Sequence, residues 1–494
     1  MKVIHTHLTD PKDLSPWEKS QAYNGLDCCV TLEVLDAMLP LLDDYTRATY
    51  LFSRELEAPV IEMRLRGVRV DTYRKAQVID LFYDQLDTLE WNLCRIVEEG
   101  VGLRDFNWRS PRDLQALFYD SLGIPVVRRG GRPTVDRSAL EKMETYLTAR
   151  PIIMHMKAMR DIGKKIQMLK TEIDPDGRIR TDYNIAGTST GRFSSASSEF
   201  GTGTNLQNVE ESLRSIFIAD EGMKLAKFDA KSGESYCVGA IEWNLFGDGS
   251  YLDTCESGDP HTATARICWP ELGWSGSLKH DREIAERKYY RHYTYRFMCK
   301  KLGHGSNYGG QPATLSGQSK IPIDKVEDFQ DKYFLAFPSH KRWHHDVAER
   351  LRRNGYLISL TGRKRWFFGR RTDNATIREA LANDPQGSLA DIVNKAMLKV
   401  WKAHRPNLSV YMHDHDALTF QYPEEQEDEI IPWLLENLKV EVKLRGDRRL
   451  VIPYDCVVGW NKGAYSDDNP DGLRDYHVGD NRKRSQTLDL LDRV

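Results

Sequence analysis

The stretch RFMCKKLGHGSNYGG, Arg296 to Gly310, sets Arg296, Lys300, His304 and Tyr308 four residues apart and ends on paired glycines. Each four-residue step on an α-helix turns about 400°, so this stripe drifts only about 40° per step. Two permanent cations, a flat titratable ring and a phenol therefore share one helix face. A polyphosphate followed by a planar base suits such a face. A solvated basic surface suits it as well, and spacing alone does not choose between them.

The whole chain narrows the choice. Its 494 residues are enough for several domains, and 40% hydrophobic with 29% charged residues describes a globular composition, neither disordered nor membrane-spanning. No apolar run approaches the roughly 20 residues of a bilayer span. The start, MKVIHTHLTDPKD, has neither a signal-peptide core nor an Arg/Ser-rich transit pattern. Eight scattered cysteines without a CxxC pair fit a reduced compartment and argue against structural zinc. The net charge is only −3, so any nucleic-acid site must concentrate its positive charge locally. Such a concentration exists: Arg282, Arg287, Lys288, Arg291, Arg296, Lys300 and Lys301 face only Asp281, Glu283 and Glu286 in the same stretch.

Periodicity predicts an amphipathic helix over Ser20–Leu42, with Leu26, Val30, Leu32, Leu35 and Leu39 as its apolar positions. Helical patterns follow over Leu51–Leu65, Thr72–Glu99, Arg150–Glu172, Val238–Leu302, Asp324–Asn354 and Thr376–His404. The basic segment Arg128–Pro133 reads as an exposed, mobile loop. KLAKFDA reads as a buried strand, LSVYMHDHDALTFQYP as two strands around a tight turn, and LVIPYDCVVGW as another strand. The polar tail from Ser466 reads as extended or partly disordered. The class is α+β: long helical blocks around a few strands gathered from distant positions.

Asp229 ends one hydrophobic strand, and Asp416 sits at the turn of a hydrophobic hairpin. Carboxylates on rigid strand ends are suited to hold two Mg²⁺ ions about 3.5–4 Å apart. Each taken alone also reads as an ordinary turn residue.

Together these residues resemble a known family, the family A DNA polymerases of the bacterial DNA polymerase I type. Its first motif, Asp-Tyr-Ser-x-Ile-Glu, reads here Asp229-Ala230-Lys231-Ser232-Gly233-Glu234. Its second, Arg-x3-Lys-x3-Phe-x3-Tyr-Gly, is Arg296, Lys300, His304, Tyr308 and Gly309. Its third, His-Asp-Glu before a strand, is His415-Asp416-Ala417. GDPHTATA resembles the triphosphate-binding segment at His261. TSTGRFSS followed by TNLQN resembles the primer–template segment, through Arg192, Asn205, Gln207 and Asn208. GYLISLTGRKR and DPQGSLADI, the latter carrying Gln386, complete seven blocks in the family's order.

The resemblance implies a right-hand polymerase with an antiparallel palm sheet. Residues 1–50 would be the end of a 3′–5′ exonuclease domain, 51–170 the thumb, 171–235 the first part of the palm, 236–375 the fingers, and 376–494 the second part of the palm with the polar tail. Asp229 and Asp416 would be the catalytic metal carboxylates, for Mg²⁺ with Mn²⁺ as an alternative. Lys300 would join them in catalysis. Arg296, Lys300, His304, Tyr308, His261 and Glu234 would bind the dNTP, with Glu234 as a steric gate against a 2′-hydroxyl. Arg192, Asn205, Gln207, Asn208, Gln386 and His415 would contact primer–template DNA. Minor-groove acceptors lie in similar places for every correct pair, so such contacts sense shape and tolerate sequence.

Departures from the pattern are informative. His304 stands where the family usually has Phe or Tyr, Gly233 replaces a bulky apolar residue, Ser232 replaces Gln, and Ala417 removes a Glu. A rival register, His413-Asp414, is rejected because Asp416 would then fall where the family has an apolar strand residue. At the N-terminus, YNGLDCCVTLEVL resembles the last exonuclease motif through Tyr23 and Asp27, but the other available carboxylates are Asp10, Asp13 and Glu18. The expectation is a truncated nuclease and no proofreading from this chain alone. A primer mismatched at its 3′ end, incubated with Mg²⁺ and no nucleotides, is expected to stay full length; steady shortening contradicts this. The compact chain points to a bacteriophage enzyme acting in the cytoplasm of a bacterial host, with a separately encoded exonuclease or processivity factor as a further partner.

Two other readings share some of these features. A single-subunit RNA polymerase has the palm carboxylates and a Lys…Tyr-Gly helix, but Glu234 as a sugar gate and the run TGRFSS…NLQN argue against it. A catalytically silent primer–template binding factor would explain Ala417 and His304, but not the retention of both aspartates.

Overall fold

The structure, a computed structural model, describes residues 9–198 and 202–479. The chain divides into two compact units: Met1–Glu57, Glu234–Ile392 and Val442–Leu450 form one, and Ala58–Gly233, Val393–Glu441 and Val451–Val494 form the other. The segment expected to form the fingers, 236–375, lies wholly in the first unit, which also takes up 376–392 and 442–450. The segments expected to form thumb and palm lie mainly in the second.

The second unit is built on a five-stranded sheet. Its strands are β1 (Met223–Ala230), β2 (Ser409–Asp414), β3 (Ala417–Pro423), β4 (Tyr454–Gly459) and β5 (Arg474–Asp475). They are ordered β2-β3-β1-β4-β5, every neighbouring pair antiparallel. All seven residues of β3 are buried, as an interior strand covered on both faces requires. Beneath the sheet, Leu225, Tyr411 and Met412 pack with Val68, Ile166, Leu213 and Phe217. A separate core lies where the helices Thr72–Val101 and Arg150–Leu169 pack together, around Leu93, Val97, Phe118, Ile153, Met156 and Met159.

The first unit is mainly helical. It contains α1 (Gly233–Phe246), α2 (Ser250–Glu256), α3 (Pro260–Cys268), α4 (Tyr295–Asn307), α5 (Ile323–Ala336) and α6 (Ser339–Asn354). Helix α4 starts at Thr294, whose hydroxyl accepts from the Phe297 amide at 3.1 Å. It buries Met298, Cys299 and Leu302 and leaves Lys300 and His304 exposed. Arg296, Lys300 and His304 of the expected stripe therefore lie on the helix, while Tyr308 is the residue just past its end.

Three expectations change. The N-terminal helix, Pro16–Met38, has a Ser15–Glu18 capping box but buries no residue. Trp17, Tyr23, Leu26, Val30, Leu32 and Val34 are spread around its circumference, so no single apolar face is set apart. The basic loop at 128–133 is exposed but paired as a hairpin, Arg128 opposite Pro133 and Arg129 opposite Arg132. The tail is corrected as far as residue 479. Arg474–Asp475 adds an edge strand to the sheet. Asn469 is 5% exposed, its amide nitrogen donating to Asn461 Oδ1 at 3.1 Å and to the Ala464 carbonyl at 2.8 Å. Reciprocal amide hydrogen bonds, which low hydropathy cannot reveal, fold this segment. The rest of the expected tail lies outside the described residues.

Candidate active site

The sheet register brings the two aspartates of the second unit together. Asp229 on β1 lies directly opposite Ala417 on β3. Asp414 pairs with Ala417, so His415 and Asp416 are the two residues of a tight hairpin turn. The Ala230 amide donates to the Asp416 carbonyl at 3.1 Å, closing that turn onto β1. Directly opposed antiparallel residues have Cα atoms about 4.5–5.5 Å apart, which sets the scale of this approach. His415 and Ser232 adopt φ of 56° and 50°, so a left-handed residue flanks each carboxylate segment. Each such conformation costs on the order of 1 kcal/mol and is held here by the surrounding hydrogen bonds.

The two carboxylates differ in state. Asp229 is open, its side chain 57% exposed, with Lys227 Nζ at 3.4 Å. Asp416 is gripped by Arg192, Nε to Oδ1 at 3.1 Å and Nη2 to Oδ2 at 2.8 Å. Asp414 is committed elsewhere, to the buried Lys462 ammonium at 2.7 Å. The neighbouring His413 is buried against Phe193, with ring centroids 4.4 Å apart. The rejected register is thus a structural ion pair beside a core histidine. Two hard carboxylate donors fit a Mg²⁺ site of the kind that substrate phosphates and water complete. Among the described residues, no group of three or more His, Cys, Asp or Glu side chains forms a metal cage.

The residues expected at DNA, Gln386 apart, belong with Asp416 to the second unit. The Arg192 loop is anchored by Asn394, which donates to the Gly191 carbonyl at 3.3 Å. Asn205 accepts from the Ser195 hydroxyl at 2.6 Å and caps the turn at Asn208. Gln207 is buried and donates to the His413 carbonyl at 3.1 Å, bracing the hairpin. His415 Nε2 and Asn208 Oδ1 are 3.3 Å apart at the surface. Gln386 belongs to the first unit, half-buried on the helix Asn374–Lys402.

In the first unit the α4 stripe meets α1 and α3. Arg296 Nε donates to Asp259 Oδ2 at 3.0 Å, and its Nη1 lies 3.6 Å from Glu286. Asp259 also caps α3, accepting from the Thr262 amide at 3.2 Å. Burial pushes the Asp259 carboxyl up, but the hydrogen bond and charge of Arg296 outweigh it and hold the group below its ordinary value. Among the described residues no carboxylate pairs with Lys300, so its exposed ammonium is the stripe's available hydrogen-bond donor to an anion. Burial and then Arg296 push His261 down to about 4, which makes it a neutral hydrogen-bonding ring at pH 7. The Tyr308 hydroxyl donates to Glu234, and burial raises its pKa well above the ordinary phenol. His304 stands edge-on to Tyr308, ring centroids 5.1 Å apart, with Nε2 3.8 Å from Glu234 Oε2.

Sequence reading missed several partners. Asp455 on β4 lies directly opposite Asp229, and Tyr454 opposite Ala230. The Tyr454 hydroxyl is buried without a hydrogen-bond partner, and its pKa is raised by burial and then by Asp416. Only cross-strand register reveals these two. Asp259 was legible as an Asp-Pro helix start, though its hold on Arg296 was not.

Comparison with known proteins bears on the family and the fold. The profile for "DNA polymerase family A" matches residues 76–267 and 282–462. The thermostable DNA polymerase I of Thermus aquaticus is 26% identical over 489 residues, covering 92% of this chain and 54% of its own. DNA polymerase I of Mycobacterium tuberculosis (strain ATCC 25618 / H37Rv) is 29% identical over 457 residues, covering 87% and 46%. The chain thus spans about half the length of these relatives. The POL domain of Pol1 from M. smegmatis, solved with DNA primer-template and dNTP, superposes with a TM-score of 0.63 at 24% identity, covering 83% of this chain and 69% of that one. That likeness establishes the fold. Because the family profile matches well over half of its residues, the chain belongs to DNA polymerase family A.

Proposed function

We propose that this chain is a template-directed DNA polymerase that adds dNTPs to a primer 3′ end and releases pyrophosphate. The observation that carries the reading is Asp229 on the central strand beside Asp416 in the adjoining two-residue turn. On this reading residues 51–170 serve as thumb, 236–375 as fingers, and 171–235 with 376–494 as palm. The free state of all eight cysteines suits action in a reducing cytoplasm.

Asp229 and Asp416 would hold the divalent cations, Mg²⁺ or Mn²⁺. When bound, these lower the pKa of the primer hydroxyl and neutralise charge on the phosphates. Arg192 occupies the same Asp416 oxygens and would leave them as the cation binds. Its guanidinium would then be available to the primer–template minor groove. Lys300 supplies positive charge to the leaving pyrophosphate, where charge develops in the transition state. His261, neutral at pH 7, donates a hydrogen bond to a phosphate oxygen. Glu234, held by Tyr308, limits space at the sugar's 2′ position.

Primer extension with dNTPs or rNTPs tests the reading. Extension with dNTPs and poor use of rNTPs is expected; equal use of both favours the RNA polymerase, and no extension favours the silent factor. A narrower prediction concerns His304. His304→Tyr places a hydroxyl on the face next to Glu234 and is expected to change dideoxynucleotide discrimination on the order of tenfold. An unchanged ratio of ddNTP to dNTP incorporation contradicts the stacking role.

A further inference from the structure

A chain of buried polar groups runs through the first unit to the C-terminal end of α4. It starts at Glu242 on α1 and His340 on α6, which are 1% and 0% exposed. His340 Nδ1 meets the Glu242 carboxyl, and Nε2 lies 3.1 Å from the Tyr333 hydroxyl on α5. Tyr333 donates to Asn307 Oδ1 at 2.7 Å, and Asn307 Nδ2 donates to the Tyr251 hydroxyl on α2 at 3.1 Å. Asn307 is gripped a third time, because its carbonyl, left without an intrahelical partner at the helix end, accepts from His344 Nε2 at 2.7 Å.

The direction of donation follows from counting protons. Tyr333 spends its only proton on Asn307, so its oxygen must accept from His340 Nε2. Nδ1 therefore either takes a proton from the Glu242 carboxyl or gives one to the carboxylate; one proton is held between them. Burial raises the Glu242 carboxyl, and the charge of His340 restrains it. Every link then points the same way, from the Glu242–His340 pair to Asn307 and on to Tyr251. Such a set has one direction of donation, with the second Glu242 carboxyl oxygen left over as a buried unpaired acceptor, and interrupting it leaves further buried groups unpaired.

This run of buried groups ends next to the residues proposed to bind the nucleotide. Asn307 immediately precedes Tyr308, whose hydroxyl donates to Glu234. Glu234 and Glu242 lie on the same helix, about two turns apart. Helix α1 and the C-terminal end of α4 are thus joined twice, once at the largely buried Tyr308–Glu234 pair and once through the buried run.

We infer that Asn307, held by Glu242–His340–Tyr333, Tyr251 and His344, is a positioning residue that fixes Tyr308 against Glu234 and thereby sets selectivity for the nucleotide sugar. The inference rests on the proposed polymerase activity and deepens it. A passive core network would influence stability without influencing the choice of sugar.

The test measures kcat and KM for a dNTP and the matching rNTP in Asn307→Leu, Glu242→Gln and Glu242→Leu. Asn307→Leu is expected to reduce the dNTP-over-rNTP preference in kcat/KM by about tenfold, mainly through KM for the dNTP. Gln at 242 can still donate to His340 Nδ1, so Glu242→Gln is expected to stay within about twofold of the unsubstituted protein. Glu242→Leu is expected to match Asn307→Leu. If Asn307→Leu does not fold, the two Glu242 variants decide alone. A folded variant set with unchanged preference overturns the inference while leaving the polymerase reading intact. Failure of the unsubstituted protein to incorporate dNTPs removes both.

Discussion

Asp229→Asn and Asp416→Asn are each expected to lower single-turnover dNTP incorporation by roughly a thousandfold or more, while the protein stays folded. An amide keeps the shape of a carboxylate and removes the charge that binds the cation. Asp229 is open to solvent, so the substitution leaves no buried group unpaired. Asp416→Asn loses the ion pair with Arg192, whose side chain is 20% exposed, and a modest loss of stability accompanies the loss of activity. The double variant is expected to be no slower than either single one, because residues acting as a unit are not additive. Asp414→Asn is the contrasting case. Its partner Lys462 is 4% exposed, so the substitution strands a buried ammonium at a cost of about 3–5 kcal/mol. A large drop in melting temperature is expected there without a specific fall in the chemical step of the folded fraction. Comparable incorporation by Asp229→Asn and the unsubstituted protein removes the two-carboxylate assignment.

The second large effect is acid lability. Burial is the leading cause that pushes His261, His344 and His413 down to about 4 from an ordinary 6.5. A histidine with a depressed folded-state pKa binds protons more readily when unfolded, so its folded form loses stability as pH falls from 6.5 toward 4. Each contributes up to about 3 kcal/mol of that loss. Asp384, which burial pushes up to about 6, works in the opposite direction, as does the raised Glu242. Three histidines outweigh them, and the net direction is loss. Urea unfolding at pH 7.5, 6.5 and 5.0 is expected to show a midpoint that holds between the first two and falls sharply at the third. A constant midpoint down to pH 5.0 contradicts the burial of neutral imidazoles. His413 lies in the second unit and the other two in the first, so both units are expected to weaken together.

Local pattern carried much of this architecture. The four-residue stripe, the strand KLAKFDA and the hairpin around His415-Asp416 are legible because periodicity and turn chemistry act over a few residues. The partners of those residues were not legible. Arg296 and Lys300 look equivalent in the sequence, yet Asp259 and Glu286 occupy Arg296 and leave Lys300 available. The family pattern chose Asp416 over Asp414, but that Lys462, nearly fifty residues away, takes Asp414 was not legible. Gln207 reads as a DNA contact, and that its amide braces the His413 carbonyl was not legible. The N-terminal helix has the caps and apolar content of a buried element without a sorted face. In each case the deciding interaction spans distant segments, where spacing carries no information.

The most direct measurement of the central claim is single-nucleotide incorporation by the unsubstituted protein on four primer–templates that differ only in the templating base. With Mg²⁺ and all four dNTPs, the added nucleotide is expected to change with the template and stay complementary to it, one pyrophosphate being released per addition. Addition that ignores the template base, or no addition at all, contradicts it.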